Sequence, residues 1–365
     1  MKTGELCSYL DAVVPLSLQE SYDNSGLQVG LPEKEIEAAL ITLDVTEEVL
    51  EEAVSKGCGL IISHHPVIFK GLRKLAWSSP VERIIARAIR NDIAIYSAHT
   101  NLDMLGTGVS RKLAEKLGLS DIRVLQPLKG RLLKLVTFVP SEHLERVRNA
   151  VFEAGAGFIG NYDCCGFTVA GKGSFRAGEG TNPFVGEKGE MHFENEERFE
   201  TVLFSHLKGK VIKALLEAHP YEEVAYDIYP LEIKGRQYGM GNVGVLDKPK
   251  SLEEFIAVVK EKLSVKNVRV IGDIDREVGK VAVFCGSFDR EVLGAAKSKA
   301  DVLVTGDVKY HDAMDMLEMG MCVIDAGHFN TERIIADRLV ELISENFPQI
   351  EVVKSNMEED PFKIC

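Results

Sequence analysis

Cysteines at CxxC spacing are missing from this sequence. Its 365 residues include seven cysteines, at 7, 58, 164, 165, 285, 322 and 365, with no CxxC spacing among them. An odd, scattered set argues against a disulfide framework and a cysteine-built zinc knuckle, and it points to a reduced, cytoplasmic protein. An excess of positive charge is missing as well. Lys and Arg total 43 against 56 Asp and Glu, a formal net charge of −13. Such a chain makes a poor general binder of nucleic acid or anionic membrane, because both call for a basic surface. No run of 18 apolar residues occurs, and the opening stretch MKTGELCSYLDAVV has no apolar core of signal-peptide length. Neither a membrane span nor a targeting segment is therefore expected. The P-loop and the GxSxG elbow are absent. The GxGxxG at Gly239–Gly244 runs into Val245–Pro249, a strand and then a break, where dinucleotide binding needs a helix.

What is present is a globular composition, 45% apolar and 27% charged, in a length that favours two or three domains. The first third alternates apolar runs with helix-like segments. Strands are expected near 37–43, 60–63 and 93–97, and helices near 47–55, 80–90 and 108–117. Thr46 reads as an N-cap, and Pro80 stands where a helix can begin. The last third repeats the habit, with strands near 281–285, 301–304 and 322–325 and helices near 290–299, 309–318 and 330–345. Such alternation implies βαβ units in a mainly parallel sheet, with ligands at the strand ends. The middle instead reads strand–helix–strand–strand–helix–strand, a ferredoxin-like βαββαβ unit. Between its central strands, residues 171–189 hold six glycines in nineteen positions, a candidate functional loop. The expected architecture is α/β: core lobes at 1–126 and 234–365, with an inserted domain at 127–233.

Polar segments near the expected strand ends carry the candidate chemistry. His328 and Glu332 are four apart, so on a helix they share a face and can hold one divalent ion. Gly327 lets the chain turn into that helix. His64 and His65 follow the run GLIIS, and Pro66 ends the strand, which frees both rings to aim at one region. Adjacent histidines suit two metals about 3.5–4 Å apart, and Asp103 could bridge them. Three His, one Asp and one Glu form an N/O donor set without thiolate, which suits two divalent ions per subunit, zinc first and iron, manganese or magnesium next. His99 and His311 are candidate proton carriers. Asp307, Lys309 and His311 together could meet an anionic substrate.

The segments SYDNSGLQVG (21–30), ISHHP, SAHTNLD (97–103), TGDVKYHDA (305–313) and GHFNTE closely resemble the NGG-one-interacting-factor-three-like family, whose members are catalogued as GTP cyclohydrolase I type 2 homologues. GTNPFVGEKG and HPYEEVAYDIYPL resemble the PII-like or CutA-like domain inserted in longer members. The resemblance implies two similar α/β lobes around a dinuclear metal site held by His64, His65, Asp103, His328 and Glu332, with His99 beside it. It also implies a homohexamer with trimeric contacts through the insert. The expected activity is a metal-dependent hydrolase acting on a small molecule, with hydroxide from a metal-bound water opening the guanine ring at C8. The alternatives are hydrolysis of a phosphoester or another nucleotide, and a non-catalytic metal- or metabolite-sensing assembly that binds protein partners.

Overall fold

The computed structural model describes residues 1–128, 130, 132–160, 162–233 and 238–363; the expected boundary at residue 234 lies outside them, as does Cys365. Two units form. One combines Met1–Pro127 with Gln237–Cys365, and the other is Leu128–Arg236. In chain order the first strands are β1 (Gly26–Val29), β2 (Ala38–Thr42), β3 (Leu60–Ser63), β4 (Ala94–Ser97) and β5 (Ser120–Pro127). The middle holds β6 (Leu132–Pro140), β7 (Gly166–Arg176), β8 (Met191–Phe204) and β9 (Tyr226–Leu231). Then follow β10 (Gly239–Ser251), β11 (Arg269–Ile271), β12 (Glu277–Ser287), β13 (Val302–Gly306), β14 (Cys322–Asp325) and β15 (Glu351–Lys354).

The first unit is a mixed α/β structure with two sheets. One has the order β1-β4-β3-β2-β15 and the other β11-β14-β13-β12-β10-β5. In each, the central strands run parallel: β15, β2, β3 and β4 in the first, and β12, β13 and β14 in the second. Every residue of β2, β3 and β4 is buried, the unbroken apolar pattern of strands covered on both faces. Ala39, Ile41, Leu60 and Ile62 point into a core that also takes in Val281, Ile324 and Leu339 of the second lobe. Leu40, Ile61 and Ile95 point the other way, towards the helices Glu47–Ser55 and Pro80–Arg90. Thr46 caps the first of these helices by accepting from the Val49 amide at 3.2 Å.

The sequence expectations need three adjustments here. First, a cut at residues 126 and 234 does not separate the two sheets. Strand β15, from the end of the chain, pairs with β2 of the first sheet, and β5 pairs with β10 of the second. Second, the GxGxxG segment lies in one long strand that continues through Pro249, with a register shift between Val245 and Lys250 absorbing the proline. Third, the expected helix at 330–345 is two helices, His328–Glu332 and Ile335–Asn346.

The second unit has four antiparallel strands in the order β7-β8-β6-β9. The helices Leu144–Glu153 and Lys208–Ala218 supply Val147, Val151, Val211 and Leu215 to one core with Leu135, Val139 and Phe199 of the sheet. On the opposite sheet face Phe167, Val169 and Tyr229 stay exposed. The glycine-rich stretch begins inside β7, which runs to Arg176, so its loop portion starts only afterwards.

Candidate metal centre

The cluster is assembled at the carboxyl ends of the parallel strands, where an open α/β sheet leaves polar groups uncovered. His64 and His65 follow β3, His99 follows β4, Asp44 stands just past β2, Asp307 just past β13, and His328 just past β14. Asp103 ends the one-turn helix Thr100–Asp103. Strand β1 is antiparallel to β4, with Gly26 opposite Ser97, so Asp23 before β1 reaches the same edge.

Four imidazoles converge. Ring centroids lie 5.1 Å apart for His64 and His65, 5.3 Å for His64 and His99, and 5.3 Å for His65 and His328. Each ring is held at Nδ1 by an acceptor: Ala98 C=O for His64 at 2.7 Å, Asp44 for His65 at 2.8 Å, Asp23 for His99 at 2.8 Å, and Asp307 for His328 at 2.9 Å. A ligating histidine characteristically has its other ring nitrogen fixed by a carboxylate or carbonyl. The opposite nitrogens meet Glu332. Its Oε2 is 3.0 Å from His65 Nε2 and 2.8 Å from His328 Nε2, and its Oε1 is 3.9 Å from His64 Nε2. Asp103 Oδ1 lies 3.5 Å from His64 Nε2. The carboxylate that spans the centre is thus Glu332, with Asp103 on the His64 side. Among the described residues, two groups have ligand atoms within 4.8 Å of one another, His64–His65–His99 and His65–His328–Glu332, and His65 is common to both.

Charge is distributed unevenly. Burial pushes the His64 pKa down to about 3. That ring is neutral, and because its Nδ1 donates to a carbonyl, Nε2 presents a bare lone pair. Burial also opposes charge on His65, but Asp44 and Glu332 outweigh it and hold its pKa up at about 10. Glu332 raises that of His328 to about 9. Burial and then the Glu332 charge drive Asp103 well above the usual carboxylate range. The protons favoured on His65, His328 and Asp103 are ones that a divalent cation at these donors would displace.

The residues present fit a metal. His64 Nε2 and Asp103 Oδ1 are buried side-chain atoms with no hydrogen-bond partner among the described residues. Unpartnered buried polar atoms are costly, and two facing each other in a donor cluster are what a bound cation would satisfy. The floor is built from glycine. At Gly286 (φ +67°) a Cβ would stand 1.9 Å from Glu332 Oε1, and at Gly306 one would stand 2.7 Å from the His328 amide nitrogen. Cavities open on two sides, one of about 770 Å³ beside His65 and His328, and one of about 220 Å³ beside His99, Asp103 and Glu332.

Of the seven residues expected at the site, the structure gathers six. His311 stays apart, exposed on the first turn of the helix Tyr310–Glu318 and edge-on to the Tyr310 ring at 5.4 Å. Asp307, expected to meet substrate, lines the larger cavity and holds His328, and its backbone is left-handed at φ +51°. Sequence reasoning missed the orienting roles of Asp23 and Asp44 and the space at Gly286. An acidic residue immediately after an apolar strand, as in LITLD and VTGD, is the signal that was available for two of the three carboxylates.

A family profile described as Duf34/NIF3 (NGG1p interacting factor 3) matches residues 1–361. The chain belongs to the Duf34/NIF3 family. Two relatives of this NIF3-family chain are each named GTP cyclohydrolase 1 type 2 homolog. The protein from Halalkalibacterium halodurans is 43% identical over 353 residues, 95% of each chain. That from Bacillus subtilis is 42% identical over 345 residues, covering 93% of this chain and 92% of the relative. A solved structure of a Bacillus cereus protein related to NIF3 matches with a TM-score of 0.87 at 40% identity, across 100% of this chain and 99% of the other. No helix among the described residues is long and apolar enough to cross a membrane.

Proposed function

We propose that this NIF3-family protein is a dinuclear-metal-dependent hydrolase. Its ligands in this reading are His64, His65, Asp103, His328 and Glu332, joined by His99. The observation that carries it is the pair of unpartnered buried atoms, His64 Nε2 and Asp103 Oδ1, inside a ring of histidines all fixed at Nδ1. Two bound divalent ions, zinc first by donor type, would supply Lewis acidity and acidify a water towards neutral pH. The chain does the rest. Asp23, Asp44 and Asp307 hold three rings so that Nε2 faces the centre, and Gly286 leaves room for the Glu332 carboxylate. His99, expected as a proton carrier, reads better as a donor from Nε2, since its Nδ1 is taken by Asp23 and its ring stands against His64 and His65.

The substrate class follows the relatives' name: a purine nucleotide, with GTP opened at C8 and formate released. A second reading, a hydrolase of a phosphoester or another nucleotide, draws on Arg269. This cation in the wall of the larger cavity is already engaged by Asp325 and by the Val308 carbonyl. One experiment separates these readings. Protein loaded with zinc, manganese or iron is assayed for metal content, GTP loss and formate, beside Glu332→Gln. Metal bound at two per chain, with formate release abolished in Glu332→Gln, is expected. Two metals without any GTP turnover would leave the centre standing and reject the cyclohydrolase.

The proposal extends to the second unit as an inserted ferredoxin-like, PII/CutA-like domain that builds trimeric contacts of a homohexamer. Its support is the β7-β8-β6-β9 order and the exposed Phe167, Val169 and Tyr229 on the helix-free sheet face. Mass-resolved chromatography should give six chains, reduced by Phe167→Glu.

A further inference from the structure

The second unit holds a cavity that the proposed hydrolase does not use. Its volume is about 420 Å³, within the range of small-molecule sites. Phe138 of β6, Phe175 of β7, Phe184 and Tyr221 form its aromatic walls. Tyr221 lies 6.1 Å from Phe175 and 6.2 Å from Phe184, ring centre to ring centre, so the three rings line one hollow. The charged lining is unbalanced: Glu196, Glu222 and Glu223 stand against Arg176.

These groups are held in position. The Tyr221 hydroxyl donates to Glu196 Oε1 at 2.9 Å. Glu196 lies against β7 because Gly173 has no side chain, and a Cβ there would come 2.1 Å from Oε2. The Asn182 amide donates to Glu222 Oε1 at 2.9 Å, which ties the segment carrying Phe184 to the opposite rim. The glycines singled out in the sequence therefore serve a wall as well as a loop.

Aromatic faces attract cations through the ring quadrupole, and a carboxylate beside them adds a directed charge. An anion would meet three carboxylates. A neutral apolar ligand would leave Glu196 in the wall of the hollow without a matching charge. We infer that this cavity binds a small organic cation, a quaternary or protonated amine with an apolar body, its charge beside Glu196 and its body against Phe138, Phe175 and Phe184. No residue of its lining belongs to the metal centre.

Calorimetric titration of the full-length protein tests this with three probes: benzyltrimethylammonium, choline, and 3,3-dimethylbutan-1-ol, which has the shape of choline without the charge. Both cations should bind, with the alcohol at least tenfold weaker than choline. Glu196→Gln should weaken the cations about tenfold, and Phe184→Ala, at a half-exposed ring whose loss spares the core, about fivefold. Circular dichroism melts of both variants establish that they are folded, and an unchanged metal content separates this site from the first unit. Failure of both cations to bind, equal binding of choline and the alcohol, or cation affinity untouched in folded Glu196→Gln and Phe184→Ala would each overturn the inference.

Discussion

The two units treat buried polarity in opposite ways. In the first, every histidine of the cluster is fixed at one nitrogen, and two unsatisfied buried atoms, His64 Nε2 and Asp103 Oδ1, face each other at 3.5 Å. In the second, carboxylates and aromatic rings line an open cavity, and Glu196 already shares a hydrogen bond with Tyr221. The first arrangement suits a group that stays bound, since the donors gain their full satisfaction only with a cation in place. The second suits a ligand that comes and goes, because its polar groups are satisfied or solvated without one. The difference originates in the strands. Parallel strands buried on both faces deliver polar residues only at their ends, whereas the antiparallel sheet has a helix-free face along which polar and aromatic side chains stand side by side.

The contrast is broken most severely at Gly286. Gly286→Ala sets a methyl group on the Glu332 carboxylate in a left-handed backbone position, so loss of stoichiometric metal is expected together with a stability cost of about 2–4 kcal/mol. Metal analysis and a denaturant melt read the two effects separately, and retention of two metals per chain would refute the packing account. Metal removal comes next. At about 1,000 times its dissociation constant a native-state ligand contributes about 4 kcal/mol, so chelation should lower the transition of the first unit and leave that of the second in place. Equal lowering of both would erase the distinction between the units.

Smaller effects sharpen the comparison. Asp307→Asn preserves size and tolerates the left-handed backbone but removes the charge behind His328, so about 10–100-fold weaker metal binding is expected by competition with a chromophoric chelator. Asp44→Asn should act alike through His65. The mildest prediction concerns the second unit. His219 accepts from the Tyr221 amide at Nδ1 and donates from Nε2 to the Phe138 carbonyl, the pattern of a neutral ring. Burial, with His143 nearby, lowers its pKa. The unfolded chain therefore takes up the proton first, and the stability of the unit is present above the ordinary histidine value of about 6.5 and falls as the pH drops below it. Thermal melts between pH 8 and 5 should show that fall, and His219→Gln should flatten it.

Much of this site could be read from spacing. His328 and Glu332 are one helical turn apart, and adjacent His64 and His65 at the end of an apolar run turned to one region once Pro66 ended the strand. Which ring each of Asp23, Asp44 and Asp307 holds was not legible, because each acts on a histidine at least 21 positions away in the chain. His311 misled because a histidine after a strand looks the same whether its helix points it inward or, as here, into solvent. The sheet order was not legible either, because β15 and β5 pair with strands that no local pattern names.

The sequence by itself determined the alternation of elements, the separate middle unit, the donor types and the family to which the chain belongs. Periodicity, composition and motif are local, and local chemistry suffices for them. Only the tertiary structure decided that Glu332 reaches three of the rings, that three carboxylates hold the rings, and that a glycine-lined floor admits the Glu332 carboxylate. Those are distances between segments far apart in the chain, set by sheet order and by the shared core beneath the strand ends.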